Sequence, residues 1–203
     1  ESIPDFVDKI IVVNDGSSDN TRKIVEEKIN PKNKIELINL AGEGVGRAID
    51  CGHQYLLDNL QKPFVSVVMA GDGQMDVEDL PHVIEPIIQE QTDHVKGNRF
   101  HHPDGTGNMP ATRKLASKLL GFFTTLAAGR QVTDPQCGYT ATSHIVLENW
   151  NWNVSWKGYG YPNYWLIEMS KKSFRLKEVP VKSVYANEKS GIKNFSFFIS
   201  VGL

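Results

Sequence analysis

The chain contains 203 residues, with a formal charge of −2 at neutral pH and two cysteines. This length favours one α/β domain with a sizeable core. A nucleic-acid binder usually carries a basic excess, so the charge argues against that class. Cys51 and Cys137 are too few for a disulfide framework, which makes a reducing compartment the default. No stretch reads as a signal peptide or approaches the ~20 apolar residues of a membrane helix.

The first predicted strand covers residues 9–14 and ends in a loop of acids, glycine and hydroxyls. Lys9-Ile-Ile-Val-Val13 is an apolar run, and Asn14-Asp15-Gly16-Ser17 follow it before a helix predicted over 18–29. Asp-Gly is a strong turn signal and serine is a good N-cap. A turn therefore accounts for the composition of this loop.

A short strand predicted over 35–39 leads to the glycine-rich loop Gly42-Glu-Gly-Val-Gly46 and a helix ending near residue 59. The spacing differs from the G-x-G-x-x-G of dinucleotide-binding folds, and no P-loop motif occurs. We expect the backbone of Gly42 and Gly44 to cradle a nucleotide or its diphosphate at the helix N-terminus. Arg47 would add charge-assisted contacts. A tight strand–helix connection is the structural alternative.

The strand predicted over 64–69 stops at Gly71-Asp72-Gly73-Gln74. Ligands of open α/β sheets bind where such strands end. Asp72 and Gln74 offer oxygen ligands two residues apart, which suits Mg²⁺ or Mn²⁺ better than zinc. The plain alternative is a turn into a helix over 77–90, with Asp76 as its N-cap. We favour a site, because Asp15 and Asp72 follow two separate buried strands at the same predicted sheet edge.

The remaining elements continue the alternation of strands and helices. We predict a strand near 94–96, helices over 111–127 and 161–172, and strands within 174–185, with Leu115 and Leu119 at helical spacing in the first of these helices. Such alternation predicts an α/β fold with a largely parallel sheet and helices on both faces.

Five segments along the chain carry a family resemblance. They are Val12-Val-Asn-Asp-Gly-Ser-Ser-Asp19, Met69-Ala-Gly-Asp-Gly-Gln-Met-Asp76, Val95-Lys-Gly-Asn-Arg-Phe100, Asp134-Pro-Gln-Cys-Gly-Tyr139 and Glu178-Val-Pro-Val181. In their order and spacing the chain resembles the family-2 glycosyltransferases, most closely the polyprenyl-phosphate sugar synthases. The resemblance implies a GT-A fold, a Rossmann-like three-layer sandwich over residues 1–194. The family's first strand and its Pro-x-Tyr-Asn-Glu loop have no counterpart in this sequence.

The resemblance also implies a donor site. Asp72 with Gln74 would hold Mg²⁺ or Mn²⁺ against the diphosphate, and Asp15 would contact the base or ribose. The first acid of the family's D-x-D motif is replaced by Ala70, which leaves fewer protein ligands for the metal. The nucleotide-sugar would lie against Asp15, Gly16, Ser17, Gly42, Gly44, Arg47, Gly71 and Asp72.

On the acceptor side, the resemblance places Arg99 near the phosphates. Arg113 and Ser117, four residues apart on one helix face, would contact the acceptor phosphate together with Lys189. A solvated surface charge is the alternative for Arg113, and solvated hairpin lysines are the alternative for Lys189. Asp134 would be a general base for a hydroxyl acceptor. For a phosphate acceptor, which needs no base, Asp134 would orient groups; capping ahead of Pro135 is the structural alternative.

Two other clusters favour structure over chemistry. All four tryptophans lie within 150–165 among tyrosines, where they could stack on a sugar or pack, and packing is favoured. His101 and His102 are adjacent, so they point in different directions, and a loop is favoured over a metal site. Cys137 is expected to be a packed residue and not a nucleophile.

The sequence thus predicts a metal-dependent, inverting glycosyltransferase that moves a hexose from a UDP- or GDP-sugar to a polyprenyl phosphate. It would act at the cytoplasmic face of the membrane. Residues 195–203 would begin a membrane-associated helix, with an ordinary core segment as the alternative. The functional alternatives are a transferase for a saccharide or other hydroxyl acceptor, and a nucleotide-binding module without turnover.

Overall fold

The computed structural model describes residues 3–30, 34–106, 109–154 and 156–184, with the side chain of Arg113 excluded. Lys189 and residues 195–203, which we predicted to contact phosphate and membrane, lie outside this part. The strands are β1 (Ile10–Asp15), β2 (Ile35–Leu40), β3 (Val65–Val68), β4 (His94–Asn98), β5 (Thr140–Ser143) and β6 (Leu176–Pro180). The helices are α1 (Thr21–Lys28), α2 (Val45–Asn59), α3 (Leu80–Ile88), α4 (Ala111–Ala128), α5 (His144–Glu148) and α6 (Tyr161–Lys171), with a 3₁₀ turn at Val77–Asp79.

The strands of the described part form two sheets. β1 and β2 pair in parallel, with Ile10 opposite Ile35, and α2 packs against β1. The second sheet has the order β3-β5-β4-β6. β5 runs antiparallel to β3 and β4, whereas β4 and β6 are parallel. The predicted α/β class is confirmed, and the polar strand β5 is the one strand of the second sheet that runs against the others, between β3 and β4.

A large cavity lies between the facing edges of the two sheets. Side chains of β1 and β3 both line it, as do apolar residues of α2 and α3, and its volume is about 3460 Å³. Among the described strands, β1 and β3 have no strand partner on these facing sides. The cavity therefore lies between two open strand edges.

The core consists of two clusters on the second sheet and beside it. One is centred on Val83, Val95 and Tyr139, and the other on Val146, Trp165 and Met169. Trp150 stacks on Trp165 with ring centroids 4.0 Å apart, so the packing function predicted for the aromatic cluster is confirmed for these two rings.

Cys137 belongs to the first of these clusters. Its side chain is buried there, and burial raises the pKa of the thiol. A thiol must ionise to act as a nucleophile. Packing, as predicted, is therefore what this residue provides.

None of the described helices has the length and apolar character needed to cross a membrane.

Candidate functional site

The loop after β3 presents an exposed aspartate. Asp72 Oδ1 accepts the backbone N–H of Gln74 at 3.0 Å, which closes a tight turn, and Gly73 supplies the positive φ of 72° that this turn needs. The carbonyl of Gln74 accepts the N–H of Val184 at 3.0 Å. Asp76 accepts the N–H of Glu78 at 3.0 Å, so the predicted N-cap is confirmed. The turn that we gave as the plain alternative is therefore present, and the carboxylate of Asp72 is exposed within it.

The donor atoms around Asp72 fit a hard cation that is held mainly by its substrate. No group of three or more His, Cys, Asp or Glu side chains that could hold a metal occurs within the described residues. Asp72 and Gln74 together offer one carboxylate and one amide oxygen. Mg²⁺ usually keeps several waters and binds through one or two carboxylates plus substrate phosphates. A site built on Asp72 is therefore suited to a metal–diphosphate complex and not to a protein-only cage.

Asp15, at the end of β1, is tied to the glycine-rich loop that precedes α2. Its Oδ1 accepts the N–H groups of Gly42 and Glu43 at 3.0 and 2.7 Å, and its Oδ2 accepts that of Gly44 at 2.7 Å. Neighbouring Asn14 is buried and donates to Asn39 Oδ1 at 2.9 Å. The carboxylate thus fills the anion position at the start of α2.

This contact bears on the expectation that the amides of the loop cradle a diphosphate. Three of those amides already donate to Asp15, because a carboxylate meets the same electrostatic demand as a phosphate. Gly16 and Gly44 are required by space: a Cβ on Gly16 would lie 3.1 Å from Gly42 N, and one on Gly44 would lie 2.3 Å from Lys157 O. The structure thus gives these glycines a packing function, and their contact with a nucleotide stays a prediction.

Arg47 lies on the first turn of α2 and pairs with Glu43 there. Its Nε is 3.4 Å from Glu43 Oε2, and both side chains are partly exposed. An exposed pair of this kind contributes little to stability. Arg47 can therefore exchange this partner for a ligand phosphate, and its predicted function remains open to test.

Arg99 and Asp134 form a buried bidentate ion pair beneath the site. Arg99 donates from Nε to Oδ2 at 2.7 Å, from Nη2 to Oδ1 at 2.8 Å and from its backbone N–H to Oδ2 at 3.0 Å. Asp134 is fully buried and Arg99 is 7% exposed. The pair joins the loop that follows β4 to the loop that precedes β5.

The state of Asp134 bears on which acceptor the site can activate. Burial pushes the pKa of this carboxyl upward, but the hydrogen bonds and charge of Arg99 outweigh burial, and the pKa lies below its ordinary value. Both oxygens accept from Arg99. A general base needs a lone pair within reach of the acceptor proton and a pKa near the working pH. Asp134 is fully buried and its pKa is shifted away from neutrality, which favours an orienting function over the general-base alternative.

A second acid, Glu178 on β6, holds the backbone of the same loop. Its Oε1 accepts the N–H groups of Thr133 and Asp134 at 2.9 and 3.2 Å, and its Oε2 accepts Asn98 Nδ2 at 2.8 Å. Asn98 Oδ1 in turn accepts the N–H of Phe100 at 2.9 Å. Glu178 therefore couples the loops on which Arg99 and Asp134 lie.

Sequence reasoning gave no function to Glu178, Asn98 or Lys96. Lys96 is buried, donates to the carbonyl of Cys137, and has its pKa lowered by burial. A signal was present: His94, Lys96 and Asn98 alternate along β4, and all five residues of that strand are buried. Polar residues at every second position of a wholly buried strand indicate a polar network, since buried polar groups need partners.

Two of the residues predicted to contact the acceptor phosphate belong to helix α4. Residues 113 and 117 both lie within Ala111–Ala128, so the spacing of four puts them on one face. Ser117 is 6% exposed and borders the large cavity. His101 and His102 occupy the preceding loop, where His102 Nδ1 accepts the N–H of Asp104 at 3.0 Å.

Part of the set of predicted site residues lines the large cavity. Ser17, Gly71, Asp72, Gln74, Arg99 and Ser117 border it. Asp15, Gly16, Gly42, Gly44, Arg47 and Asp134 are not in its lining. The first group comes from four different segments, so the fold brings donor-side and acceptor-side residues to one space. Of the second group, Asp134 binds the lining residue Arg99.

Comparison with known proteins places the chain in a family. The profile described as Glycosyl transferase family 2 matches residues 2–150. The chain is 34% identical over 196 residues to the UDP-N-acetylglucosamine--dolichyl-phosphate N-acetylglucosaminyltransferase of Methanococcus voltae, covering 88% of this chain and 75% of that protein. An uncharacterized protein of Methanocaldococcus jannaschii is 30% identical over 176 residues, covering 87% and 70%. The chain belongs to Glycosyl transferase family 2.

Solved structures agree on the fold. Glucosyl-3-phosphoglycerate synthase from Mycobacterium tuberculosis, in complex with Mn²⁺, UDP and phosphoglyceric acid, matches with a TM-score of 0.65 at 16% identity, covering 90% of this chain and 61% of that one. The same enzyme in complex with UDP also gives 0.65 at 16% identity, covering 97% and 70%. The predicted GT-A fold is thereby confirmed, and the chain spans about three fifths of the first of these structures.

Proposed function

We propose that this chain is an inverting glycosyltransferase that moves an N-acetylglucosamine-type hexose from a UDP-sugar to a polyprenyl phosphate of the dolichyl type. The Methanococcus relative, whose name specifies that donor and that acceptor, supports this choice over a GDP-sugar. In the reaction an acceptor phosphate oxygen forms a bond to the anomeric carbon while the bond to the UDP oxygen breaks. UDP leaves as the only other product.

The observation that carries the proposal is the bidentate pairing of Asp134 with Arg99. A sugar hydroxyl must lose its proton to become a nucleophile, whereas a lipid phosphate is already ionised at neutral pH. Asp134, which the sequence suggested as a general base, has both of its carboxylate oxygens hydrogen-bonded to the guanidinium of Arg99. A site with this acid occupied favours an acceptor that needs no base.

Different residues of the chain would bind the donor and the acceptor. Asp72 and Gln74 would hold Mg²⁺ or Mn²⁺, which when bound would neutralise the charge that develops on the leaving diphosphate. Arg47 would contact the diphosphate once released from Glu43. Ser117, with Arg113 and Lys189, would receive the acceptor phosphate. The buried Arg99–Asp134 pair would keep the loops around this centre in place.

The test is a transfer assay with radiolabelled UDP-N-acetylglucosamine or GDP-mannose, offered dolichyl phosphate or dolichol, with Mn²⁺ or with chelator. We expect labelled lipid from the UDP-sugar and dolichyl phosphate only, and none with chelator. Asp72→Asn should lower the rate by about 100-fold or more, as loss of a charge-stabilising group does. Asp58→Asn, which changes an exposed acid of α2, is the matched control.

Each alternative has a distinct result. Transfer to dolichol at a rate similar to dolichyl phosphate would overturn the phosphate acceptor and return a hydroxyl acceptor to first place. UDP-sugar binding by calorimetry without transfer to either lipid would support a binding module. Transfer from GDP-mannose alone would overturn the donor.

A further inference from the structure

A chain of hydrogen bonds runs from helix α4 to the loop that carries Asp134. Thr124 Oγ1 donates to the carbonyl of Leu120 at 2.9 Å. The same oxygen accepts from Asn163 Nδ2 at 3.1 Å, and Asn163 Oδ1 accepts from Gln136 Nε2 at 2.8 Å. Thr124 and Asn163 are buried, whereas Gln136 is partly exposed. We call Thr124, Asn163 and Gln136 the Gln136 relay, which leads from the interior to a loop of the candidate site.

The helix carbonyl fixes the direction of every bond in the Gln136 relay. A carbonyl oxygen only accepts, so the single hydroxyl proton of Thr124 is used on Leu120. Thr124 Oγ1 is then an acceptor for Asn163, which must face it with the NH₂ group and turn its oxygen toward Gln136. Gln136 must therefore use its own NH₂ group on Asn163. What remains at the end of the relay is an acceptor, the Oε1 atom of Gln136.

This acceptor belongs to a residue of the candidate site. Gln136 borders the large cavity, as do Asp72, Arg99 and Ser117. Among the described residues, the bond to Asn163 is the one hydrogen bond that the Gln136 side chain makes. Its Oε1 is not among the buried polar atoms that lack a partner, so this oxygen is accessible to a ligand.

The loop that presents Gln136 is held rigidly on α4. A Cβ on Gly121 would lie 3.1 Å from the carbonyl oxygens of Val132 and Thr133, so the helix packs directly on the loop backbone. Pro135 is fully buried, and its ring fixes φ immediately before Gln136. An acceptor of set orientation on a rigid loop is pre-organised, which is what discrimination between ligands requires.

We propose that Gln136 is a specificity-determining residue, whose Oε1 accepts a hydrogen bond from a hydroxyl or an acetamido N–H of the transferred sugar. The proposal rests on the proposed function for its UDP-hexose donor. In that reaction the sugar lies between the diphosphate, for which Asp72 is proposed, and the acceptor phosphate, for which Ser117 is proposed. Gln136 borders the same space as both. A sugar without a hydrogen-bond donor at this position would leave Oε1 unpaired and be rejected.

Calorimetric titration in the presence of Mn²⁺ tests the contact. The quantity measured is the ratio of the dissociation constants of UDP-N-acetylglucosamine and UDP, in the wild type, Gln136→Met and Gln131→Met. Methionine has a similar length but only a weakly accepting sulfur. Gln131 is an exposed glutamine of the same loop that does not border the cavity. We expect Gln136→Met to bind UDP-N-acetylglucosamine about tenfold more weakly relative to UDP. The same ratio in all three proteins would overturn the proposal.

UDP-glucose identifies the group that Gln136 contacts, because it has a hydroxyl where UDP-N-acetylglucosamine has the acetamido group. A loss in Gln136→Met that is confined to UDP-N-acetylglucosamine would assign the acetamido N–H as the donor. An equal loss for both nucleotide-sugars would assign a hydroxyl that they share. Both results support a contact with the sugar, and no loss for either nucleotide-sugar would exclude it.

Thr124→Val and Thr124→Ser test the relay from a distance. Valine has neither donor nor acceptor, so the amides of Asn163 and Gln136 can turn over and present NH₂ in place of Oε1, whereas serine keeps the hydroxyl. We expect Thr124→Val to weaken the nucleotide-sugar relative to UDP and Thr124→Ser to retain the wild-type ratio. Unchanged binding of UDP itself shows that a variant folds. Equal ratios in two folded Thr124 variants would overturn the relay; if Thr124→Val does not fold, Gln136→Met decides.

These binding ratios do not depend on the acceptor, so they separate the proposal from the proposed function. If Gln136→Met loses the nucleotide-sugar relative to UDP while the wild type transfers sugar to no lipid, the proposed function fails and the sugar contact stands. If the wild type transfers N-acetylglucosamine to dolichyl phosphate and Gln136→Met keeps both the ratio and the transfer, the function stands and the contact fails.

Discussion

Arg99 and Asp134 repeat, in the interior, a contact that Arg175 and Asp93 make at the surface. In both pairs the arginine donates from its backbone N–H and Nε to one carboxylate oxygen and from Nη2 to the other. The Arg175 side chain is 56% exposed, whereas that of Arg99 is 8% exposed. The chain therefore contains two ion pairs of the same geometry that differ mainly in solvation.

Asp134→Asn should lower the free energy of unfolding far more than Asp93→Asn does. Removing one partner of a buried pair leaves an uncompensated charge, at about 3–5 kcal/mol, while an exposed guanidinium is rehydrated by water. Urea denaturation of both variants measures the difference. We also expect Asp134→Asn to lose transferase activity and Asp93→Asn to retain it. Equal losses of stability in the two variants would contradict the importance that we assign to burial.

Glu178→Gln should disrupt the coupling of the two site loops, and Asn98→Asp should restore it. A glutamine that keeps its oxygen on Thr133 N and Asp134 N turns its NH₂ group toward Asn98 Nδ2, so two donors face each other. An aspartate at 98 accepts from that NH₂ and still accepts from Phe100 N. The double variant has the same net charge as the wild type.

We therefore expect Glu178→Gln alone to lose about 1–3 kcal/mol and to lower kcat about tenfold, with the dissociation constant of UDP unchanged. The Asn98→Asp/Glu178→Gln protein should recover most of both quantities. A double-mutant cycle isolates the coupling of the two residues. Losses that simply add would show that the two side chains act independently.

Much of the fold could be predicted because apolar runs and turn residues mark it locally. The strand predicted over 9–14 is β1 (Ile10–Asp15), and the helix predicted over 111–127 is α4 (Ala111–Ala128). The strand β5 was missed. Its sequence, Thr-Ala-Thr-Ser, is polar, and it is buried only because partners such as His94, whose Nδ1 lies 2.9 Å from Thr142 Oγ1, come from distant strands. No local pattern contains that information.

The site was predicted less completely, for a related reason. Spacing showed that Asp15 and Asp72 follow strands, but it could not show that Asp15 turns toward the amides of 42–44 across 27 residues of chain. Carboxylate and phosphate satisfy a helix N-terminus equally well, so the sequence alone could not distinguish a cradle from a closed loop. In the same way Leu115 and Leu119 have the spacing of a core face, and only the structure shows that they are exposed while Ser117 on the same helix is buried.

Asp15→Asn should loosen the loop that precedes α2. An asparagine presents one acceptor and one donor where the carboxylate accepts three N–H groups, so one loop amide loses its partner. We expect a loss of about 1–2 kcal/mol and weaker binding of UDP. Calorimetric titration with UDP and urea denaturation provide the two measurements. Asp19→Asn, which alters an exposed turn acid that accepts the N–H of Thr21, is the matched control and should bind UDP as the wild type does.

The two buried histidines should make the protein lose stability as the pH falls below neutrality. His53 and His94 are hydrogen-bonded to Ser66 and Thr142, and burial lowers their pKa values to about 4 and about 3. The unfolded chain takes up protons on these rings near pH 6.5, whereas the folded chain does not. Protonation therefore stabilises the unfolded state relative to the folded state below that pH. Between that pH and about 4, each histidine removes about 1.4 kcal/mol of unfolding free energy per pH unit.

His53→Gln should remove one of these two contributions, because a glutamine hydrogen-bonds to Ser66 and does not titrate. Urea denaturation at a series of pH values between about 7 and 5 gives the slope of unfolding free energy, in a range above the ordinary pKa values of Asp and Glu. At the acid end of this range, where the unfolded histidine is fully protonated, we expect the slope to fall by about 1.4 kcal/mol per pH unit in the variant. His82→Gln, on the exposed side of α3, is the reference. A slope in His53→Gln as steep as in that reference would mean that His53 is protonated in the folded protein, in conflict with its burial.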